Sequence, residues 1–397
     1  LPGHQCFQAS LNMPFSMRWN VNTGVMNNPF AVGRRATGKP KVLIAAGPGH
    51  VTESEMIIKL HKSGVDVHAA FESDSSQLPR LCAAGVPTRK LDLRGPIDPA
   101  NVRRIRAWVR DEGFNVLHAL ANWQVANFLL ASYGMPNHVI AYRGAIGHVS
   151  KWDPSCYLKW LSPRLDHIVC VSNAVAHDLK ASGVDEQKLV TIYKGHDLNW
   201  YSRLEPKSAR EQVNQAFGIP SDAVLIGMAA NMRPVKGADM LLAALKALPN
   251  YVHALMIGEV RDPQLEQLAN DPSIRQRVHM TGYRNDAPAM IGALDINCAP
   301  SRGREGLTKT ILEGMAQGVP SIVSAAGGLS EMVDDGESGY VVAIDELPDF
   351  TSKLRQSVAS PEQREIFGQR GREIVQERFS IDQTVNKTAA LYSALCS

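Results

Sequence analysis

SRGREGLTKTILEGMAQGVPSIVS, residues 301–324, holds a loop, a helix and a strand in succession. The short apolar run DINCAP, residues 295–300, leads in as a strand, and a loop rich in Gly and charge follows. The apolar spacing predicts a helix over about Leu307–Gln317, stopped by Gly318, with Val319-Pro320 opening another apolar strand. A helix start presents unpaired N–H groups and the positive end of the macrodipole, so the residues before it suit an anion. Gly306 lets such an anion approach the backbone closely. Glu305 stands just before the helix and Glu313 lies two turns inside it. Glu313 has the wrong sign for phosphates but can accept hydrogen bonds from sugar or ribose hydroxyls. An anion seat between two hydroxyl-reading carboxylates describes a nucleotide-sugar site; the plainer alternative is a β-α-β unit with a solvated Glu pair.

Outward from this stretch the chain repeats one pattern twice. From Lys41 to about residue 195, apolar strands (VLIAAG, DVHAAF, FNVLHAL, HVIAYRG, DHIVCVS, LVTIYKG) alternate with helical segments. The pattern breaks at HDLNWYSRLEPKSA and resumes with VLIGMAAN, VHALMIGE, VHMTGY, DINCAP and GYVVAI, after which two helices close the chain. Such alternation predicts parallel, doubly wound sheets. Residues 1–40 show no period and read as an extension of uncertain order.

The bulk composition fits this reading. A chain of 397 residues suits about two domains. Hydrophobic residues make up 44%, and a net charge of +3 is too mild to argue for a nucleic-acid partner. Cys6, Cys82, Cys156, Cys170, Cys298 and Cys396 are scattered without a C-x-x-C, which favours a reducing cytoplasm over a disulfide frame or zinc site. No run approaches the ~18 apolar residues of a spanning helix. The expectation is a soluble protein, at most attached peripherally to the inner face of a membrane. The basic helix around Arg103, Arg104, Arg106 and Arg110 offers either a contact for anionic lipid or a solvated face.

The segment EGLTKTILEGMAQGVPSIVS, with SAAGGLSEMVDDGESG after it, resembles the E-x7-E region of family 4 retaining glycosyltransferases of the GT-B fold. That resemblance implies an α/β architecture of two Rossmann-like domains with parallel sheets facing a central cleft. It places an acceptor domain at 41–203, a nucleotide-sugar donor domain at 204–379, and a last helix, 380–397, crossing back onto the first domain. It also implies transfer of a sugar, from a UDP-sugar in particular, to a glycan or glycolipid acceptor, as in lipopolysaccharide or surface polysaccharide synthesis. Rival readings are a nucleotide-sugar epimerase of the same fold and a non-catalytic nucleotide-sugar binder.

The resemblance also assigns residues. Arg233 and Lys236, in NMRPVKG, look like the R-x-x-K-G pair that holds the donor diphosphate and stabilises the charge developing on it, Arg in bidentate fashion and Lys as a point charge. No Asp-x-Asp pattern is evident in the cleft segments, so no cofactor is expected and the cations stand in for a metal. Glu305 then lies near the donor sugar, Glu313 at the ribose, and Gly306, Leu307 and Thr308 offer amides to the phosphates. Tyr283 and Arg284, with Gly258, stand where the family reads the base. Gly47 and Gly49 form a glycine loop across from the diphosphate; a dinucleotide fingerprint is the rival, but Thr52 occupies the place of its third glycine. His118 is the candidate catalytic histidine, and Arg143 with Gly144 are candidates for binding substrate charge.

Overall fold

The computed structural model describes residues 36–201 and 206–397. The expected extension over 1–40 therefore lies almost wholly outside the described residues, as does the expected boundary at 203–204. Two parallel sheets are present. The first contains β1 (Lys41–Ala45), β2 (Asp66–Phe71), β3 (Thr88–Lys90), β4 (Val116–Ala119), β5 (His138–Arg143), β6 (His167–Cys170) and β7 (Leu189–Thr191), in the order 3-2-1-4-5-6-7. The second contains β8 (Val224–Ala229), β9 (Val252–Ile257), β10 (Val278–Gly282), β11 (Ile296–Ala299), β12 (Ser321–Ser324) and β13 (Gly339–Val342), in the order 10-9-8-11-12-13. Helices cover both faces of each sheet, which is why central strands such as β4 and β11 are buried at every position and read as continuous apolar runs.

Strand order reverses between β1 and β4 in the first sheet and between β8 and β11 in the second. Ligands of open α/β sheets bind beyond the strand C-termini at such switch points. The loops there are Ala46–His50 after β1, Ala230–Gly237 after β8 and Pro300–Thr308 after β11, so topology alone gathers the glycine loop, the basic pair and Glu305 at two facing crevices.

Two local expectations need correction. The helix after β11 spans Lys309–Ala316, two residues shorter at its start than the apolar spacing suggests. Thr308 is extended (φ −86°, ψ 107°), and its hydroxyl donates to Glu305 Oε2 at 3.1 Å instead of capping the helix. Three helices, not two, close the chain: Leu347–Ala359, Pro361–Arg378 and Ile381–Cys396. Pro361 cannot continue the preceding helix and pushes Ser360 into extended backbone, where the Ser360 hydroxyl accepts the Gln363 N–H and starts the next one.

The chain crosses between domains twice, at one place. The first crossing runs through Gly195–Tyr201 and the return through Phe379–Ile381. They are stitched by His196 N–H to Phe379 O (2.8 Å) and Ile381 N–H to His196 O (3.0 Å). A Cβ on Gly195 would sit 2.1 Å from Ser380 O, so only glycine allows this crossing. The last helix then packs on the Val51–Lys62 helix, and Ile381, Val385, Tyr392 and Cys396 join the first domain's core. In the basic helix, Pro99–Glu112, Arg106 donates to the Ala131 and Tyr133 carbonyls and Arg104 lies 4.8 Å over Trp108, so part of that charge is used in packing.

Candidate active site

A stack of glycines sets the closeness of the two domains. A Cβ on Gly306 would lie 2.1 Å from Gly144 O, across the interface, and one on Gly328 would lie 1.7 Å from Gly306 O. The loop bearing Glu305 is thus pressed between the end of β5 and the Gly327–Glu331 turn, with Gly328 N–H donating to Glu305 O at 3.0 Å. Glu331 spans the interface as well. Its carboxylate accepts the Asn173 and Ala174 N–H groups at 2.9 and 2.7 Å and the Tyr193 hydroxyl at 2.9 Å, capping the first-domain helix Asn173–Ala181.

The loops after β8 and β11 meet as the topology requires. Lys236 Nζ lies 2.7 Å from Glu305 Oε1, and Glu305 is buried. Gly237 holds φ +70° with its Cα against Pro300 O, so the two loops touch through backbone. Arg302, not anticipated from sequence, locks them. Its guanidinium bonds both oxygens of Asp239 (2.8 and 2.7 Å), the Asp345 carboxylate (2.6 Å) and Pro234 O (2.7 Å), and the first of these holds the Asp239 carboxyl below its usual range. Arg233 is exposed on the same loop and makes no ion pair among the described residues.

Glu313 faces a cavity of about 430 Å³ between the domains, shared with His50, Trp200, Tyr201, Asn285 and Lys309. Burial pushes its carboxyl up, opposed by Lys309 at 3.1 Å. Lys309 and Glu313 are one turn apart on the helix and form an ion pair, while Glu305, in the loop ahead of it, pairs with Lys236. Asn285 and Asp286 line this cavity, while Tyr283 is 70% exposed and outside its lining, and Arg284 pairs with Asp286 at 2.7 Å. Gly258, at φ +126°, sits against Ala230 O and bonds Gly282 O at 3.0 Å, tying the ends of β8, β9 and β10 together. On the first domain, Gly49 holds φ +73° against the Phe71 ring and Gly47 lies beside Glu72, which brings His50 to the cleft as the cap of Val51–Lys62.

Two candidates are displaced. His118 is 2% exposed, points into the first domain's core and shares a 2.7 Å hydrogen bond between Nδ1 and the Tyr392 hydroxyl. Burial lowers its imidazole to about 3, so its geometry is that of a neutral core histidine and not of a catalytic group in the cleft. Arg143 is also buried; its guanidinium stacks 4.8 Å over Trp160 and donates to Gly147 O, so it braces the loop after β5 and does not reach into the cleft. Strand alternation explains this. Tyr142, next to Arg143 and on the opposite face, is the residue that lines the cleft. Sequence reasoning also passed over Lys194, His196, His50 and Lys309, all on the cleft walls; the signal for Lys194 and His196 was their place immediately beyond a strand. Among the described residues no group of three or more His, Cys, Asp or Glu is placed to hold a metal, and no helix is long and apolar enough to cross a membrane.

Comparison with known proteins settles the family. Residues 54–200 match the model described as Glycosyltransferase Family 4, and residues 223–360 match Glycosyl transferases group 1. The chain belongs to the family 4, group 1 glycosyltransferases. Among its relatives, the Bacillus subtilis glycosyltransferase EpsD is 29% identical over 245 residues, 59% of this chain and 62% of that one. LpsB of Rhizobium meliloti, a lipopolysaccharide core biosynthesis mannosyltransferase, is 24% identical over 77% of this chain and 89% of its own. The crystal structure of Anabaena Alr3699/HepE in complex with UDP aligns with a TM-score of 0.74 at 18% identity, over 89% of this chain and all of that chain. That likeness, with the two facing parallel sheets, gives this glycosyltransferase the GT-B fold.

Proposed function

We propose that this glycosyltransferase moves a sugar, with retention of anomeric configuration and without a metal, from a UDP-sugar to a hydroxyl of a glycan or glycolipid acceptor. The observation that carries the reading is the 2.7 Å contact of Lys236 with Glu305, beside Arg233 and at the start of the Lys309–Ala316 helix. Breaking the bond between the anomeric carbon and the diphosphate oxygen leaves the bonding pair on that oxygen. Arg233, Lys236 and the amides of Gly306–Thr308 meet the charge where it develops, a role worth roughly 10²–10³ in kcat per donor. The leaving oxygen takes the acceptor's hydroxyl proton as the acceptor attacks the same face. Glu305 sits by the sugar, and Glu313 accepts a ribose hydroxyl.

UDP as carrier is supported by the bound nucleotide of the Anabaena structure, and lipopolysaccharide or surface glycan synthesis by the name of LpsB. Peripheral membrane contact is supported by Trp152 (93% exposed), Tyr157 and Leu158 beside Lys151 on one short segment of the first domain. The test is transfer from a panel of nucleotide sugars, with and without acceptor and with and without EDTA. Lys236→Ala and Glu313→Ala should each cut transfer about 100-fold or more in protein that still unfolds as one cooperative transition. Unchanged turnover in both variants sinks the assignment, and an isomerised donor formed without acceptor replaces it with an epimerase.

A further inference from the structure

Asn297 is fully buried in β11, a strand whose other residues are Ile296, Cys298 and Ala299. Its side chain reaches the Lys309–Ala316 helix, where Nδ2 donates to Thr310 O at 2.9 Å. Oδ1 has no hydrogen-bond partner among the described residues. A buried amide satisfied through one group only costs stability that an apolar side chain of the same shape would not. The helix is built to admit it. A Cβ on Gly314 would lie 2.7 Å from Asn297 Nδ2, so glycine at that position leaves the amide its place.

The far end of the same helix repeats the arrangement. Gln317 Nε2 donates to Glu313 O at 3.0 Å, one of the last carbonyls that a helix leaves open, and to Pro288 O at 2.8 Å. A Cβ on Gly292 would lie 2.1 Å from Gln317 Oε1, so a second glycine admits the second amide. The two amides fix the helix at its first turn, against β11, and at its last, against the Ala287–Gly292 helix. Glu313 lies between them, and among the described residues its carboxylate pairs with Lys309 alone. Lys309 rides on the same helix, so the carboxylate goes where the helix goes.

We propose that Asn297 and Gln317 are positioning residues of the donor site, which set the height and rotation of this helix so that the Glu313 carboxylate meets the nucleotide's ribose. This role rests on Glu313 as the ribose acceptor. Neither amide lines the cavity of about 430 Å³ that Glu313 faces. Each acts through the helix backbone, Asn297 at a carbonyl three residues before Glu313 and Gln317 at the carbonyl of Glu313 itself.

The test compares UDP with its 2′-deoxy and 3′-deoxy analogues by calorimetry on the full chain, with a melting curve and steady-state transfer for each variant. The parent should bind UDP about tenfold or more tighter than at least one analogue, and Glu313→Ala should erase that preference. Asn297→Leu, of the same branching, should melt at or above the parent's temperature, yet lose most of the preference and about tenfold in kcat/KM. Gly314→Ala should shift the same ratio, because its methyl displaces the amide, although alanine favours a helix. Gln317→Met should lose the preference from the other end. A parent-like ratio in Asn297→Leu and Gly314→Ala overturns the role of Asn297, and a parent-like ratio in Gln317→Met overturns that of Gln317; the donor reading stands in both cases. Loss of stability in step with loss of preference in Asn297→Leu also overturns it, since the amide would then serve the fold and not the site. No preference in the parent overturns the ribose reading of Glu313, and the positioning role with it.

Discussion

Gly306→Ala tests the domain contact at a residue whose amide the donor reading also uses, so turnover and UDP affinity must be read together. Gly306 is not among the residues at positive φ, so alanine can adopt its backbone without strain. The added methyl, however, would lie 2.1 Å from Gly144 O and 2.9 Å from a Val171 methyl, where ordinary contact begins at 3.4 Å. The loop cannot retreat, because Gly328 packs behind it with its Cα against Gly306 O. The relief left is for the end of β5 and the loop after β11 to separate by more than an ångström. A displacement of that size between reacting groups costs about 10²-fold, or about 2.7 kcal/mol of barrier. The variant should therefore lose about two orders of magnitude in kcat/KM, while UDP, held by one domain, binds within about threefold of the parent. Steady-state transfer and UDP calorimetry measure the two quantities on the same preparation. Wild-type turnover would refute the reasoning, and so would UDP affinity falling in step with turnover, since that would mean a damaged donor seat and not a parted interface.

Glu331→Ala removes the carboxylate that caps the Asn173–Ala181 helix across the interface. A lost cap costs about 1 kcal/mol, so kcat/KM should fall roughly fivefold and small-angle scattering should show a wider mean domain separation, whereas an unchanged profile would mean the clasp is idle. Acid should destabilise the fold. Burial first of all lowers His118 and His196 to about 3 and His50 to about 4. A histidine depressed in the folded state contributes stability that is full above its unfolded value near 6.5 and lost as pH falls toward its folded value. Denaturant midpoints should be flat above pH 7 and fall between about pH 6.5 and 3. His118→Gln should be less stable at neutral pH, shallower in that slope by up to about 1.4 kcal/mol per pH unit, and unaltered in kcat/KM for its folded fraction.

The donor half of the site was legible because its information is local. Glu313 lies on the helix that Glu305's loop leads into, and Lys236 stands at a fixed place after a strand, so each is positioned by the element next to it in the chain. The acceptor half was not. His118 and Arg143 both sit at the end of first-domain strands, and alternation says only that neighbours point to opposite faces. Which face is cleft and which is core depends on distant chain: Tyr392, 274 residues along the sequence, reaches back to bond His118, and Trp160 lies under Arg143. Those partners turn the two candidates inward and leave Tyr142, Lys194 and His50 on the cleft wall. The glycines follow the same division. Gly49 and Gly258 hold positive φ, a requirement of their own loops that a turn pattern announces. Gly306 and Gly195 are required only because another backbone, Gly144 or Ser380, passes within contact of the Cα. A requirement imposed by a second segment carries no spacing to read, and in this chain such segments are what bring the acceptor domain's charges opposite the donor's.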